Sequence, residues 1–190
     1  MRRDDLALIL IVGAILWAVL RNKRRRPQLV PLPEPATPKK PAKLKPFEDF
    51  LAEVRRIESG GDYMARRPLR SGKLSQFWGA YQLGAAARKD AGVTSSWPEF
   101  AASPADQDAA ARRWFELLAK RVARYPDILN AIAAGSVRGV PFDLSRAVAM
   151  AHHTGTSALR RWIRDNELAS DSLGTKTVPF TKNLHGFKIG

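Results

Sequence analysis

The chain of 190 residues contains no cysteine, which removes disulfides, thiolate nucleophiles and cysteine-based zinc sites together. It holds only three histidines. Two of them, His152 and His153, are adjacent; on a helix they point about 100° apart and cannot share a metal ion. No internal repeat is visible. Acidic side chains are in deficit, 18 against 32 basic ones, for a formal net charge of +14. The excess is uneven: residues 1–46 carry 11 basic and 3 acidic side chains, leaving 21 and 15, a net +6, for residues 47–190. Such a balance suits an ordinary solvated surface, or attraction to anionic lipid, nucleic acid or an anionic cell-wall polymer. Charge alone does not choose among them.

The sequence has one long apolar run, LALILIVGAILWAVL at residues 6–20, which as a helix covers roughly 22 Å. That is slightly short of a bilayer core, and Arg21 and Lys23 can snorkel to extend it. Residues 1–26 therefore read as a single transmembrane anchor with a basic flank, contacting lipid through residues 6–20. The rival is a cleaved signal peptide; the run is followed by RNKRRR rather than a small-residue cleavage site, which favours the anchor. Residues 27–46 contain seven prolines in twenty positions and keep no hydrophobic period. As polyproline II they form a tether reaching roughly 60 Å.

Residues 47–190 read as a mainly α globular domain. Phe47, Phe50, Leu51, Val54 and Ile57 give a first helix with one apolar stripe, stopped by Gly60 and Gly61. Residues 66–81 carry turn signals and predict a loop or small hairpin. A short helix over 83–91 follows. Ser103-Pro104 starts the longest soluble helix, running to about Tyr125. Asp127 is expected to cap a further short helix that ends at Gly135. Residues 145–153, apolar on several sides, predict a central helix, and 157–166 one more with Trp162 inward.

Glu58 raises the functional question, because it falls beside the buried stripe at the end of the first helix. A carboxylic acid held against apolar side chains has its charged form disfavoured. A general acid that protonates a glycosidic oxygen needs that property. The plain alternative is a surface glutamate paired with Arg55 or Arg66. His152 is equally a cleft residue or a hydrogen-bonded core histidine. Among the tryptophans that can stack on sugar rings, Trp114 and Trp162 sit at helical spacing and read as core, while Trp78 reads as the cleft candidate.

ESGGDY (58–63), GAYQLG (79–84) and AHHTG (151–155) occur in this order with helices between them. The combination resembles the goose-type lysozyme and soluble lytic transglycosylase superfamily. SPADQDAAARRWFELL (103–118) and DSLGT (171–175) are similar to its phage-associated branch, and the likeness spans most of residues 47–175. It implies an α+β lysozyme-like fold that cleaves peptidoglycan glycan strands between N-acetylmuramic acid and N-acetylglucosamine without a cofactor or metal. In that likeness Glu58 is the sole catalytic acid and base, Ser59 and Gln82 bind and orient the glycan, and Gly79 and Tyr81 line the cleft. His152 takes the place of the tyrosine or histidine that approaches the glutamate. The implied product is a 1,6-anhydro sugar; hydrolysis needs a second carboxylate, for which Asp62 is the nearest candidate.

A different class of reading makes the chain a non-enzymatic membrane protein whose basic arm meets DNA, anionic lipid or a virion protein. Topology bears on the carrier. Five of the six residues after the apolar run are basic, and the positive-inside rule would keep the domain in the cytoplasm, away from peptidoglycan. That suits a single-pass protein of a phage virion membrane or delivery device; the alternative is a wall-opening enzyme of the bacterial inner membrane.

Overall fold

A computed structural model of the chain describes residues 43–66, 76–167 and 176–190. The expected anchor, most of the tether, the centre of the expected 66–81 hairpin and the DSLGT segment lie outside the described residues. No helix among the described residues is long and apolar enough to cross a membrane.

The domain is mainly helical, as its periodicity predicts. Helix α1, Phe47–Ser59, buries Phe47, Phe50, Leu51 and Val54 and carries Glu48 and Asp49 in its first turn, where carboxylates favour the positive end of the helix dipole. It ends because Gly60 adopts φ +71°. The Gly60 and Gly61 amides then close back on the carbonyls of Arg56 and Arg55 at 3.0 and 3.3 Å, as in a glycine-terminated helix. Helices α2, Ala85–Asp90, and α3, Trp97–Ala102, follow. The sequence reading passed over α3, although Glu99 accepts hydrogen bonds from the Ser96 amide and hydroxyl at 2.8 Å each, the Ser-x-x-Glu signature of a helix start.

Helix α4, Pro104–Val122, is the longest described helix, and its cap is Ser103, whose Oγ accepts from the Asp106 amide. In α5, Pro126–Ala133, the cap position belongs to Tyr125 rather than the expected Asp127. Pro126 already fills the first helical position, so Asp127 lies inside the first turn and pairs with Arg160 at 2.9 Å. Two short antiparallel strands, β1 Ser136–Val137 and β2 Val140–Pro141, come next. Their two-residue link, Arg138-Gly139, has positive φ at both positions, as a type I′ hairpin turn requires.

Helix α6, Leu144–Thr154, is buried at every position from Ser145 to Ala151, so it runs through the core with α4 and α7 packed on it. Asp143 caps it, accepting from the Arg146 amide at 2.9 Å. Helix α7, Thr156–Asp165, places Trp162 inward, against Phe142. A four-residue helix α8, Thr177–Phe180, precedes a C-terminal segment in which Phe187 bridges Lys45. The last residues assigned to the tether are thus already part of the domain.

The feature that shapes the functional region is a buried glutamine. Gln107, 1% exposed, accepts from the Ala80 amide at 2.9 Å. It donates to the carbonyls of Tyr63 and Phe100 at 3.0 and 2.9 Å. Gly79, at φ +71°, lies directly against it: a Cβ there would stand 2.0 Å from Gln107 Oε1. Gly79→Ala is therefore expected to cost about 2–4 kcal/mol of stability through displacement of the buried amide. Chemical denaturation of the full chain checks this, and a loss below about 1 kcal/mol contradicts the packing argument.

Candidate active site

A cavity of about 500 Å³ opens at the end of α1, bounded by the segment 76–87, by α4, by the α6–α7 junction and by α8. Its size falls in the range of small-molecule sites. Glu58 lines it with its side chain 13% exposed, and the His152 side chain, 8% exposed, brings Nε2 to 3.3 Å from Glu58 Oε1. Among the described residues that line the cavity, Glu58 is the only carboxylate.

Each group is delivered by a distinct feature. Glu58 arrives as the penultimate residue of α1, with Ile57 packed on the core beside it. His152 projects from the last turn of α6, where its ring meets Phe115 edge-on at 5.0 Å and receives the Trp114 indole N–H on Nδ1 at 3.1 Å. His153, one residue on, also lines the cavity. Its Nδ1 lies 3.1 Å from Thr177 Oγ1 and its ring stacks on Phe180 at 4.2 Å. No cluster of three metal-ligating side chains occurs among the described residues.

Gln82 joins Glu58 and His152 at the cavity. It adopts φ +47°, and its side-chain amide donates to the Gly79 and Ala65 carbonyls at 2.8 and 3.2 Å. The other residues expected at the site stand around it without lining it. Ser59 Oγ donates to the Ala80 carbonyl at 2.9 Å, tying the end of α1 to the GAYQ turn. Gly79 is committed to Gln107. Trp78 lies beneath the Arg88 guanidinium, 3.5 Å from its ring centroid, and packs on Trp97. Arg88 also donates to the Gln76 and Leu83 carbonyls, so the stack is fastened on both sides. Its neighbour Phe77 faces the cavity instead. Asp62 lies outside the lining and accepts from the Met64 amide at 2.8 Å.

Tyr81 is 2% exposed and points to the far side of the turn, where its hydroxyl donates to Asp108 Oδ1 at 2.7 Å. Tyr63 donates to the same carboxylate at 2.9 Å, and Arg55 pairs with it at 3.3 Å. This network joins α1, the loop after it, the GAYQ turn and α4. Burial, followed by the hydrogen bond and charge of Asp108, pushes the Tyr81 hydroxyl well above the ordinary tyrosine range.

The sequence reading missed several contributors. Helical spacing reads Trp114 as core; it is buried, yet it also lines the cavity, together with Arg121, His153 and Phe180. Gln107 and Asp108 left one usable trace. Gln107, Ala110, Ala111 and Trp114 share one face at helical spacing, and a glutamine on an otherwise apolar stripe signals a buried polar link.

No protein-family model, curated protein or solved structure gives a significant match to this chain. The functional reading therefore rests on the site itself.

The tyrosine network has a pH consequence. A tyrosine whose folded pKa is raised contributes stability that is fully present below the unfolded value of about 10 and lost as pH rises through the folded value. Stability should fall from about pH 10 upward, and Tyr81→Phe should flatten that slope. Denaturation midpoints between about pH 8 and 11 check this; an unchanged slope in the variant contradicts it.

Proposed function

We propose that the domain is a peptidoglycan lytic transglycosylase in which Glu58 serves as both acid and base. The observation that carries this reading is the single carboxylate of the described cavity lining. Ordinary glycoside hydrolysis uses two carboxyl groups, about 5–5.5 Å apart with retention or about 6.5–9.5 Å apart with inversion. The nearest candidate in sequence, Asp62, is held by its own loop. A reaction that closes with one carboxylate uses a nucleophile already present in the substrate.

In this mechanism Glu58 protonates the oxygen linking N-acetylmuramic acid to N-acetylglucosamine, and the muramic C1 takes on oxocarbenium character as that bond breaks. Glu58, now a carboxylate, removes the proton from the muramic C6 hydroxyl. The hydroxyl oxygen attacks C1 and gives the 1,6-anhydro sugar, with Glu58 reprotonated and no water consumed. The His152 contact orients the carboxylate throughout. Gln82 lines the wall with its side-chain N–H groups held by the Gly79 and Ala65 carbonyls, and the apolar walls formed by Phe77, the small residues 84–87 and Leu118 suit sugar-ring faces and N-acetyl methyl groups.

The setting follows from the amino-terminal sequence. An anchored domain on a proline-rich tether, with a strongly basic flank after the apolar run, suits a protein carried in a phage virion membrane or delivery device and applied to the wall at infection.

The test is digestion of purified peptidoglycan by the full chain in detergent, with mass spectrometry of the released fragments. Anhydro-muropeptides are expected, and Glu58→Gln should lower their rate of release by about 10²–10⁴-fold. Reducing-end products would make the domain a hydrolase. Absence of any cleavage by the folded chain would remove the enzymatic reading.

A further inference from the structure

The indole of Trp114 has one polar group, an N–H that donates and never accepts. It lies 3.1 Å from His152 Nδ1, inside a wall of α4 where Trp114 is 8% exposed. A ring nitrogen that receives this N–H must present a lone pair. The imidazole is then neutral, and its single proton sits on Nε2. Nε2 is the nitrogen that faces Glu58, at 3.3 Å.

We propose that Trp114 is a positioning residue: by donating to Nδ1 it holds His152 as the neutral Nε2–H tautomer, so that Glu58 meets an N–H rather than a lone pair or a full positive charge. The catalytic consequence rests on Glu58 being the acid and base; the tautomer itself does not.

Each excluded state would harm a residue that must give up a proton and take another back. A lone pair on Nε2 would repel the carboxylate formed when Glu58 donates. An imidazolium would hold Glu58 ionised and oppose donation at the leaving oxygen. A neutral N–H avoids both, supporting the carboxylate after donation without locking it there. Trp114 blocks the imidazolium directly, because the second proton would have to occupy the nitrogen that already receives the indole N–H.

The charged or titratable groups that share the cavity lining with His152 among the described residues are Glu58, Arg121 and His153. Glu58 faces it from α1. Arg121, on α4, lines the same cavity but pairs with Asp90 of α2 at 2.8 Å. His153, on its own helix, turns to Thr177 of α8. The contacts from α4 at the ring are Trp114 and Phe115, so the indole N–H is the polar group that decides which nitrogen carries the proton.

The test uses the full chain in detergent with ¹⁵N-labelled histidine. Long-range ¹H–¹⁵N spectra distinguish the two tautomers and the imidazolium, and His152→Gln identifies the His152 signals among the three histidines. The parent should show the Nε2–H form. Two variants remove the donor. One is Trp114→Phe; the other replaces Trp114 by its benzothiophene analogue, in which sulfur takes the place of the ring N–H and the shape is kept. In both, His152 should show mixed tautomers. On peptidoglycan, kcat should fall about tenfold or more with KM little changed. In a His152→Gln background, where an amide offers one acceptor and one donor with no tautomer to choose, the same replacement should cost less than about twofold. An Nδ1–H signal in the parent, or an unchanged tautomer in the analogue, overturns the proposal. A parent that cleaves nothing removes the reading of Glu58, while the spectra still decide the tautomer.

Discussion

A buried primary amide has to satisfy an acceptor and two donor hydrogens at once, and Gln107 does so by gripping three separate stretches of backbone. Leaving any one unmet in the core would cost about 1–3 kcal/mol. The loop after α1, the GAYQ turn and the end of α3 are therefore held in one relation to α4. Gly79 is required because the amide occupies the space where a side chain would begin. Ser59 completes the arrangement by fastening the last turn of α1 to the same GAYQ turn, which fixes where Glu58 can stand relative to Gln82.

On that frame the site has a defined polarity. An indole N–H meets one nitrogen of His152 and the other nitrogen meets Glu58. The aromatic neighbours Trp114 and Phe115 pack on the imidazole, which is 8% exposed, and there hydrogen bonds have more electrostatic weight than at the surface. The Tyr63, Tyr81, Asp108 and Arg55 network performs a mechanical task on the outer side of the same turn. The tyrosines of the ESGGDY and GAYQLG motifs therefore act as fasteners, while Glu58 and Gln82 from the same motifs face the cavity.

Much of this was legible in the sequence. The stripe of α1, its glycine stop, the Ser103-Pro104 start of α4 and the apolar α6 follow from side-chain spacing and capping chemistry, and the described helices agree with them. Glu58, Gln82 and His152 stand in the three motifs, and the structure brings all three to one cavity. What sequence could not supply was facing. Phe77 and Trp78 are neighbours beside a turn, and nothing local shows that Arg88 from the following helix would cover Trp78 and leave Phe77 at the cavity. Trp114 was read as core because burial and function are not exclusive for a residue with an apolar body and one donor. Helix α3 escaped because six residues give too short a period, although its Ser96-Glu99 pair was present to be read.

In the proposed reaction one carboxylate suffices because the substrate supplies its own nucleophile. Digestion of peptidoglycan in H₂¹⁸O tests it most directly. The account predicts released muramic ends of unchanged mass, since C1 is closed by the C6 oxygen of the same sugar. Incorporation of one ¹⁸O at C1 per bond cleaved would show that water is the nucleophile and contradict it.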